Sequence, residues 1–338
     1  MSRVSFAAAI DQALAQAMEQ DPSVVVLGED VHLMRGGLFV HFGAERVIST
    51  PISEAGFVGA AVGAAMTGLR PVVEVMLVDF IGVAMDPILN HAAKLDAFSG
   101  GRWQAPMVIR AACGGGYGDG GQHEQSLWGW LGHIPGLAVV VPSTPEDAAG
   151  LMLAAIEAPG PVVFLEHKLL AETWLEAMGT GGRGTVELDV PEEGASARHR
   201  GRWEPVPIGT ALVRRPGDDV TFISVGVGVH RCLDAADALA ERSVAAEVLD
   251  MRSVSPLDRA ALVESVTRTG RVVVVDEDYR EHGFSGEIAA SLLEAGLRPQ
   301  YRRVCCDTTI PYARALEAST LPDTERILAA AREVLGGD

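Results

Sequence analysis

The chain has 338 residues, 48% of them hydrophobic, 21% charged and only 5% aromatic, which predicts an ordinary globular protein of two domains. Its formal net charge of −18 argues against phosphate-backbone binding, which relies on clustered Lys and Arg. No apolar run is long enough to span a membrane, and the first residues lack the apolar core of a signal peptide.

Residues 4–20 have helical periodicity, with Ile10, Leu14, Ala17 and Met18 on one side and Asp11, Gln12, Gln16 and Glu19 on the other. Residues 24–27 form an apolar run ending in Gly28-Glu29-Asp30, the pattern of a buried parallel strand with a polar loop at its carboxyl end. Ligand sites of open α/β sheets gather at such ends. A strand over 46–50 then feeds through Pro51 into a helix of small and apolar residues, with one charge near its start, Glu54. Glu54 has two readings: an acidic residue favoured by the first helical turn, or a carboxyl placed to hold a ligand nitrogen. Gly56, Gly59 and Gly63 leave one face of that helix nearly bare, open to close approach by another backbone or a flat ligand.

Further along, a strand over 72–78 closes with Asp79-Phe80, and a helix is expected over 82–97. A strand over 107–112 leads into a glycine-rich loop, 113–126, that contains His123. So many glycines imply positive φ angles or close approach to a ligand. Strands over 139–141 and 162–166 flank a helix over 145–157. The Gly179-to-Gly184 run and the polar stretch 191–202 read as a linker without regular structure. A second unit begins near Pro207, with strands at 220–225, 244–249, 271–275 and 301–305 and helices at 230–241, 257–268 and 284–295. This alternation predicts an α/β fold of two doubly wound domains, bounded at 1–187 and 206–338 with a linker over 188–205.

Several motifs fail on inspection. Gly226-Val227-Gly228 opens a helix after a strand, but Arg231 stands where a dinucleotide fingerprint has its third glycine. No Gly-x-Ser-x-Gly nucleophile elbow occurs. Cys113, Cys232, Cys305 and Cys306 lack zinc-site spacing, so reduced, packed thiols in a cytoplasmic protein are expected. Gly118-Asp119-Gly120 matches the start of a thiamin diphosphate and metal motif that ends in an Asn pair, yet the chain's only asparagine is Asn90. His123 is either a surface histidine or an acid/base candidate.

Together, Gly28-Glu29-Asp30, Thr50-Pro51-Ile52-Ser53-Glu54, Gly68-Leu69-Arg70-Pro71, Asp79-Phe80, Ala92-Ala93-Lys94, Gln122-His123-Glu124-Gln125-Ser126 and Pro311-Tyr312 form an ordered pattern over nearly the whole chain. It resembles the β subunit of the thiamin diphosphate-dependent decarboxylating component of 2-oxo acid dehydrogenase complexes, of pyruvate, branched-chain 2-oxo acid or acetoin type. The resemblance implies a transketolase-like fold: a pyrimidine-binding domain followed by a C-terminal domain for dimerisation and acyltransferase docking.

It further implies an α2β2 heterotetramer in which an α subunit holds the diphosphate and Mg2+, and this chain holds the aminopyrimidine ring. On that basis Glu54 hydrogen-bonds the ring nitrogen N1′, Phe80 stacks on the ring, and His123 faces the reacting centre. Glu29 matches an acidic residue on a polar path between paired sites. The implied reaction decarboxylates a 2-oxo acid and passes the acyl group to a lipoyl domain of a dihydrolipoyl acyltransferase core. The alternatives are a decarboxylase or lyase of the same architecture without lipoyl transfer, and a non-catalytic scaffold.

Three features depart from the pattern. The segment 36–43 is several residues short, Glu124 stands where Ser is common, and 156–160 lacks the Asp and Asn that help some relatives bind potassium. Glu124 is expected to make the surroundings of His123 more acidic.

Overall fold

The computed structural model describes residues 2–171 and 189–336. The N-terminal segment is not helical from residue 4. Ser2–Ser5 is a strand, β1, and Ser5 caps helix α1 (Phe6–Gln20), its Oγ accepting the Ala8 amide at 3.4 Å. Valine-rich runs without polar alternation then build the parallel strands β2 (Val24–Glu29), β3 (Val47–Thr50), β4 (Arg70–Leu77), β5 (Val108–Cys113), β6 (Ala138–Val140) and β7 (Val162–His167). Burial on both faces is what such runs require.

Between them lie helices α2 (Val31–Met34), α3 (Gly36–Phe42), α4 (Glu54–Met66), α5 (Leu95–Ser99), α6 (Trp128–Gly132) and α7 (Pro145–Glu157). The helix expected over 82–97 is broken into a 3₁₀ segment (Val78–Ala84), π-helical turns (Pro87–Ala92) and α5. Pro87 has no amide to donate and its ring opposes a regular helix, while Ile88 and Ala92 are still buried.

The stretch 191–202 is also structured. Helix α8 (Glu192–Ala195) precedes strand β8 (Ser196–His199), which pairs antiparallel with β1. Trp203 is buried behind it, donating its indole N–H to Gln12 and its amide to Gln16. The partners of this polar stretch lie at the opposite end of the first unit, so local composition did not reveal them. The expected Gly179-to-Gly184 run lies outside the described residues.

The second sheet comprises β9 (Leu212–Arg215), β10 (Val220–Ser224), β11 (Ala246–Asp250), β13 (Arg271–Tyr279) and β14 (Gln300–Cys306), in the order β14-β13-β10-β11-β9. It is parallel except for β9. Its helices are α9 (Val227–Ala240), α10 (Arg259–Thr269), α11 (Phe284–Glu294), α12 (Arg314–Thr320) and α13 (Thr324–Leu335). Strand β12 (Ser253–Ser255) crosses over and pairs antiparallel with β6, so the first sheet runs β12-β6-β7-β5-β4-β2-β3. The two α/β domains therefore share an edge.

They also share a core. One apolar cluster runs from Val25 and Val73 through Trp128 and Val254 to Val274 and Leu292. Arg214 of β9 pairs with Asp147 at the start of α7 and, at 2.9 Å, with Asp250. Behind the first sheet, Arg35 and Arg110 are buried with Glu74 and Glu166: Arg35 Nε lies 2.8 Å from Glu74 and Arg110 Nη2 lies 2.7 Å from Glu166. Among the described residues, no helix is long and apolar enough to cross a membrane, and all four cysteines are free and buried.

Candidate active site

Four adjacent strands, β5-β4-β2-β3, deliver the four residues singled out from the sequence. Glu29 ends β2, Glu54 follows β3, Phe80 follows β4, and His123 lies in the loop after β5. All four therefore project from the carboxyl edge of one parallel sheet, where ligand sites form.

At that edge Gly28 has φ +157° and lies so close to β4 that a Cβ would stand 2.3 Å from the Glu74 carbonyl oxygen. The next residue, Glu29, pairs in register with Thr50. Burial raises the Glu29 carboxyl above its ordinary pKa, and the negative charges of Asp30 and Glu54 add to that.

Glu54 is the first residue of α4 and is partly buried. Phe57, Val58, Ala61 and Val62 turn inward, leaving Ala55, Gly56, Ala60 and Gly63 exposed. Among the described residues the Glu54 carboxylate has no hydrogen-bond or ion-pair partner. The first-turn amides favour its negative charge, and no described residue consumes its acceptor capacity.

Phe80 and His123 meet edge to face, centroids 5.8 Å apart and planes at 82°. Lys168 Nζ donates to the His123 carbonyl at 2.6 Å, and Gln125 Nε2 donates to Asp79 Oδ1 at 2.7 Å. Burial lowers the Lys168 pKa, against the pull of Glu124, Asp119 and Asp79.

The glycine-rich loop is organised around the protein's own carboxylates. Glu277 accepts the Gly115 amide, Glu317 those of Gly116 and Gly118, and Glu124 those of Tyr117 and Gly120, at 2.6–3.0 Å. Glu277 and Glu317 come from the second domain, and that is where the glycines are needed. A Cβ on Gly120 would lie 2.8 Å from the Tyr312 ring, and one on Gly121 2.4 Å from Thr309. The close approach expected of a ligand is thus made by the neighbouring domain.

Glu124, expected beside His123, turns into the loop. Its side chain is fully buried inside the loop, because its acceptors are drawn to the backbone amides. Burial and the adjoining Glu317 push its pKa up to about 7, although Lys168 pulls the other way. Gly226–His230, the failed dinucleotide turn, is buried, and a Cβ on Gly228 would stand 2.2 Å from Ser224 Oγ.

Comparison with known proteins agrees with this arrangement. Residues 2–173 match the transketolase pyrimidine-binding domain and residues 209–327 the transketolase C-terminal domain. The β subunit of acetoin:2,6-dichlorophenolindophenol oxidoreductase from Cupriavidus necator is 39% identical, over 99% of this chain and 98% of that one. A 2-oxoisovalerate dehydrogenase subunit beta from Bacillus subtilis is 37% identical over 99% of both chains. The chain belongs to the β-subunit family of the 2-oxo acid and acetoin dehydrogenases.

The family further includes a mitochondrial pyruvate dehydrogenase E1 component subunit beta-2 from rice, Oryza sativa subsp. japonica, 40% identical over 96% of this chain and 84% of that one. A solved structure described as a split-gene transketolase, inactive beta4 tetramer, superposes with a TM-score of 0.77 at 23% identity, over 98% of both chains. That likeness shows the fold.

Family membership implies dependence on thiamin diphosphate. The chemistry of the residues present is compatible with the pyrimidine half of that cofactor: a carboxylate without a partner among the described residues and an aromatic ring follow neighbouring strands at the same sheet edge. Among the described residues, no group of three or more His, Cys, Asp or Glu could hold a metal ion.

Sequence reasoning passed over Asp79 and Gln125, although both stand inside recognised motifs. It also missed Lys168, Glu277, Tyr279 and Glu317. The acidic run Asp276-Glu277-Asp278 at a strand end was a usable signal, since buried carboxylates require partners.

Proposed function

We propose that this chain is the β half of an α2β2, thiamin diphosphate-dependent enzyme that decarboxylates a 2-oxo acid and transfers the acyl group to a lipoyl domain. The observation that carries the proposal is the partner-free carboxylate of Glu54, on the sheet edge that also bears the Phe80–His123 pair. Family membership supports the reaction class.

When bound, thiamin diphosphate supplies an electron sink for breaking the bond beside the carbonyl carbon. Glu54 holds its pyrimidine nitrogen N1′ through one charge-assisted hydrogen bond. Phe80 orients the ring by offset stacking. His123, kept in place by Lys168 at its carbonyl and by Phe80 at its ring, moves a proton at the substrate oxygen during bond cleavage and acyl transfer. Glu29, with its raised pKa, is suited to carry a proton along a polar path leading from Glu54. An α subunit supplies the diphosphate and Mg2+ contacts. In this proposal residues 1–187 form the cofactor-facing domain and 188–205 the connection, while 206–338 serve dimerisation and docking of a dihydrolipoyl acyltransferase core.

The test is co-expression with an α partner. Thiamin-dependent turnover is measured on a panel of 2-oxo acids and on acetoin, with and without a lipoyl domain. Glu54→Gln is expected to keep assembly and lower turnover by about 10²-fold or more. Near-wild-type turnover in that variant refutes the assignment. Turnover that ignores the lipoyl domain favours the decarboxylase or lyase alternative.

A further inference from the structure

The carboxyl end of β13 makes an unusual set of contacts with the loop that carries His123 and with α6, which follows that loop. Asp276 Oδ1 accepts the Trp128 indole N–H, Glu277 Oε1 the Gly115 amide and Asp278 Oδ2 the Gly129 amide, each at 2.8 Å. The Tyr279 hydroxyl donates to Gln125 Oε1 at 3.0 Å. Consecutive residues of a regular strand point to opposite faces, so four in a row could not all reach this loop and the start of α6. Here the register against β14 shifts between Asp276, opposite Cys305, and Tyr279, opposite Cys306. This bulge re-aims the side chains between them.

Gln125 is held at both ends of its amide. Its Oε1 accepts from Tyr279, and its Nε2 donates to Asp79 Oδ1 at 2.7 Å. With both ends engaged, only one orientation of the amide satisfies the geometry. Asp79 Oδ2 is buried without a hydrogen-bond partner among the described residues, so the Gln125 bond orients that carboxylate. Asp79 immediately precedes Phe80, whose ring meets His123 two residues before Gln125.

We propose that Tyr279 is a positioning residue for the Phe80–His123 pair, acting from the second domain through Gln125 and Asp79. The inference rests on the function proposed above, and it deepens that reading by giving the C-terminal domain a part in cofactor affinity. The phenol stays a donor over the working range: burial, then Cys306, Asp278 and Asp79, raise its pKa above the ordinary tyrosine value. Without the hydroxyl the Gln125 amide is free to turn, and Asp79-Phe80 loses its lateral restraint.

The experiment measures thiamin diphosphate binding by calorimetry, with Mg2+ and no substrate, on the complex co-purified with its α partner. Tyr279→Phe is expected to weaken binding by about 5–10-fold, the scale of one hydrogen bond. The thermal midpoint of the cofactor-free complex should fall by no more than the share of that one hydrogen bond, a few degrees at most. Gln125→Met should weaken binding at least as much, and the double variant should match Gln125→Met alone. Wild-type affinity in Tyr279→Phe or additive losses in the double variant would each overturn the proposal. A wild-type complex that fails to bind thiamin diphosphate sinks the proposed function itself. Wild-type binding with additive variants sinks the Tyr279 inference alone.

Discussion

Glu124 offers the most direct test of how the glycine-rich loop is held. Its two carboxyl oxygens accept the Tyr117 and Gly120 amides, and it adjoins Glu317 and Lys168. Its pKa rises from 4.5 to about 7, chiefly through burial. A raised folded-state pKa contributes stability that is complete below the unfolded value and lost as pH climbs through the folded one. At 1.36 kcal/mol per unit, that loss is about 3 kcal/mol between pH 4.5 and 7.

Glu124→Gln removes the titration while keeping a donor toward Glu317, at the cost of one acceptor for a backbone amide. At pH 5 the variant should lie within ~1 kcal/mol of wild type. By pH 8 the difference should shift in the variant's favour by about 3 kcal/mol, read as a rise of several degrees in its relative thermal midpoint. Asp278, raised to about 6 by burial and Asp276, gives both proteins a similar slope, so only the difference between their pH curves counts. Parallel curves from pH 5 to 8 would falsify the raised Glu124 pKa.

Two further predictions concern the scaffold. Arg110→Met removes the 2.7 Å partner of Glu166 and a 3.1 Å partner of Glu74, and equilibrium unfolding should show a loss of ~3–5 kcal/mol, the cost of removing one side of a buried ion-pair cluster; a loss below ~1 kcal/mol would mean that Arg35 neutralises the cluster alone. Gly136 has φ +89° and lies where a Cβ would stand 2.1 Å from the Ala93 carbonyl oxygen. Gly136→Ala should therefore destabilise by ~1–3 kcal/mol, and an unchanged melting curve would show that the turn relaxes freely.

Wherever a signal is local, the sequence was sufficient. The valine-rich strands between turn residues, the alternation with helices, and Glu54 as the lone charge opening a small-residue helix were legible because periodicity and helix-start chemistry act over a few residues. The order of the motifs identified the family for the same reason. Tertiary structure decided everything whose partner is distant. Residues 191–202 form a strand only because β1 offers an edge, and β12 leaves its own unit because β6 has a free one. The broken helix over 82–97 keeps its apolar residues buried without keeping helical regularity. Glu124 turned inward because the backbone amides of its own loop needed an acceptor. Hydrophobic periodicity is written along the chain, whereas a buried carboxylate or hydroxyl takes its meaning from the donor or acceptor that folding brings within about 3 Å. For that reason the place of Glu54 at a helix start could be read from the sequence and the Tyr279–Gln125 bond could not.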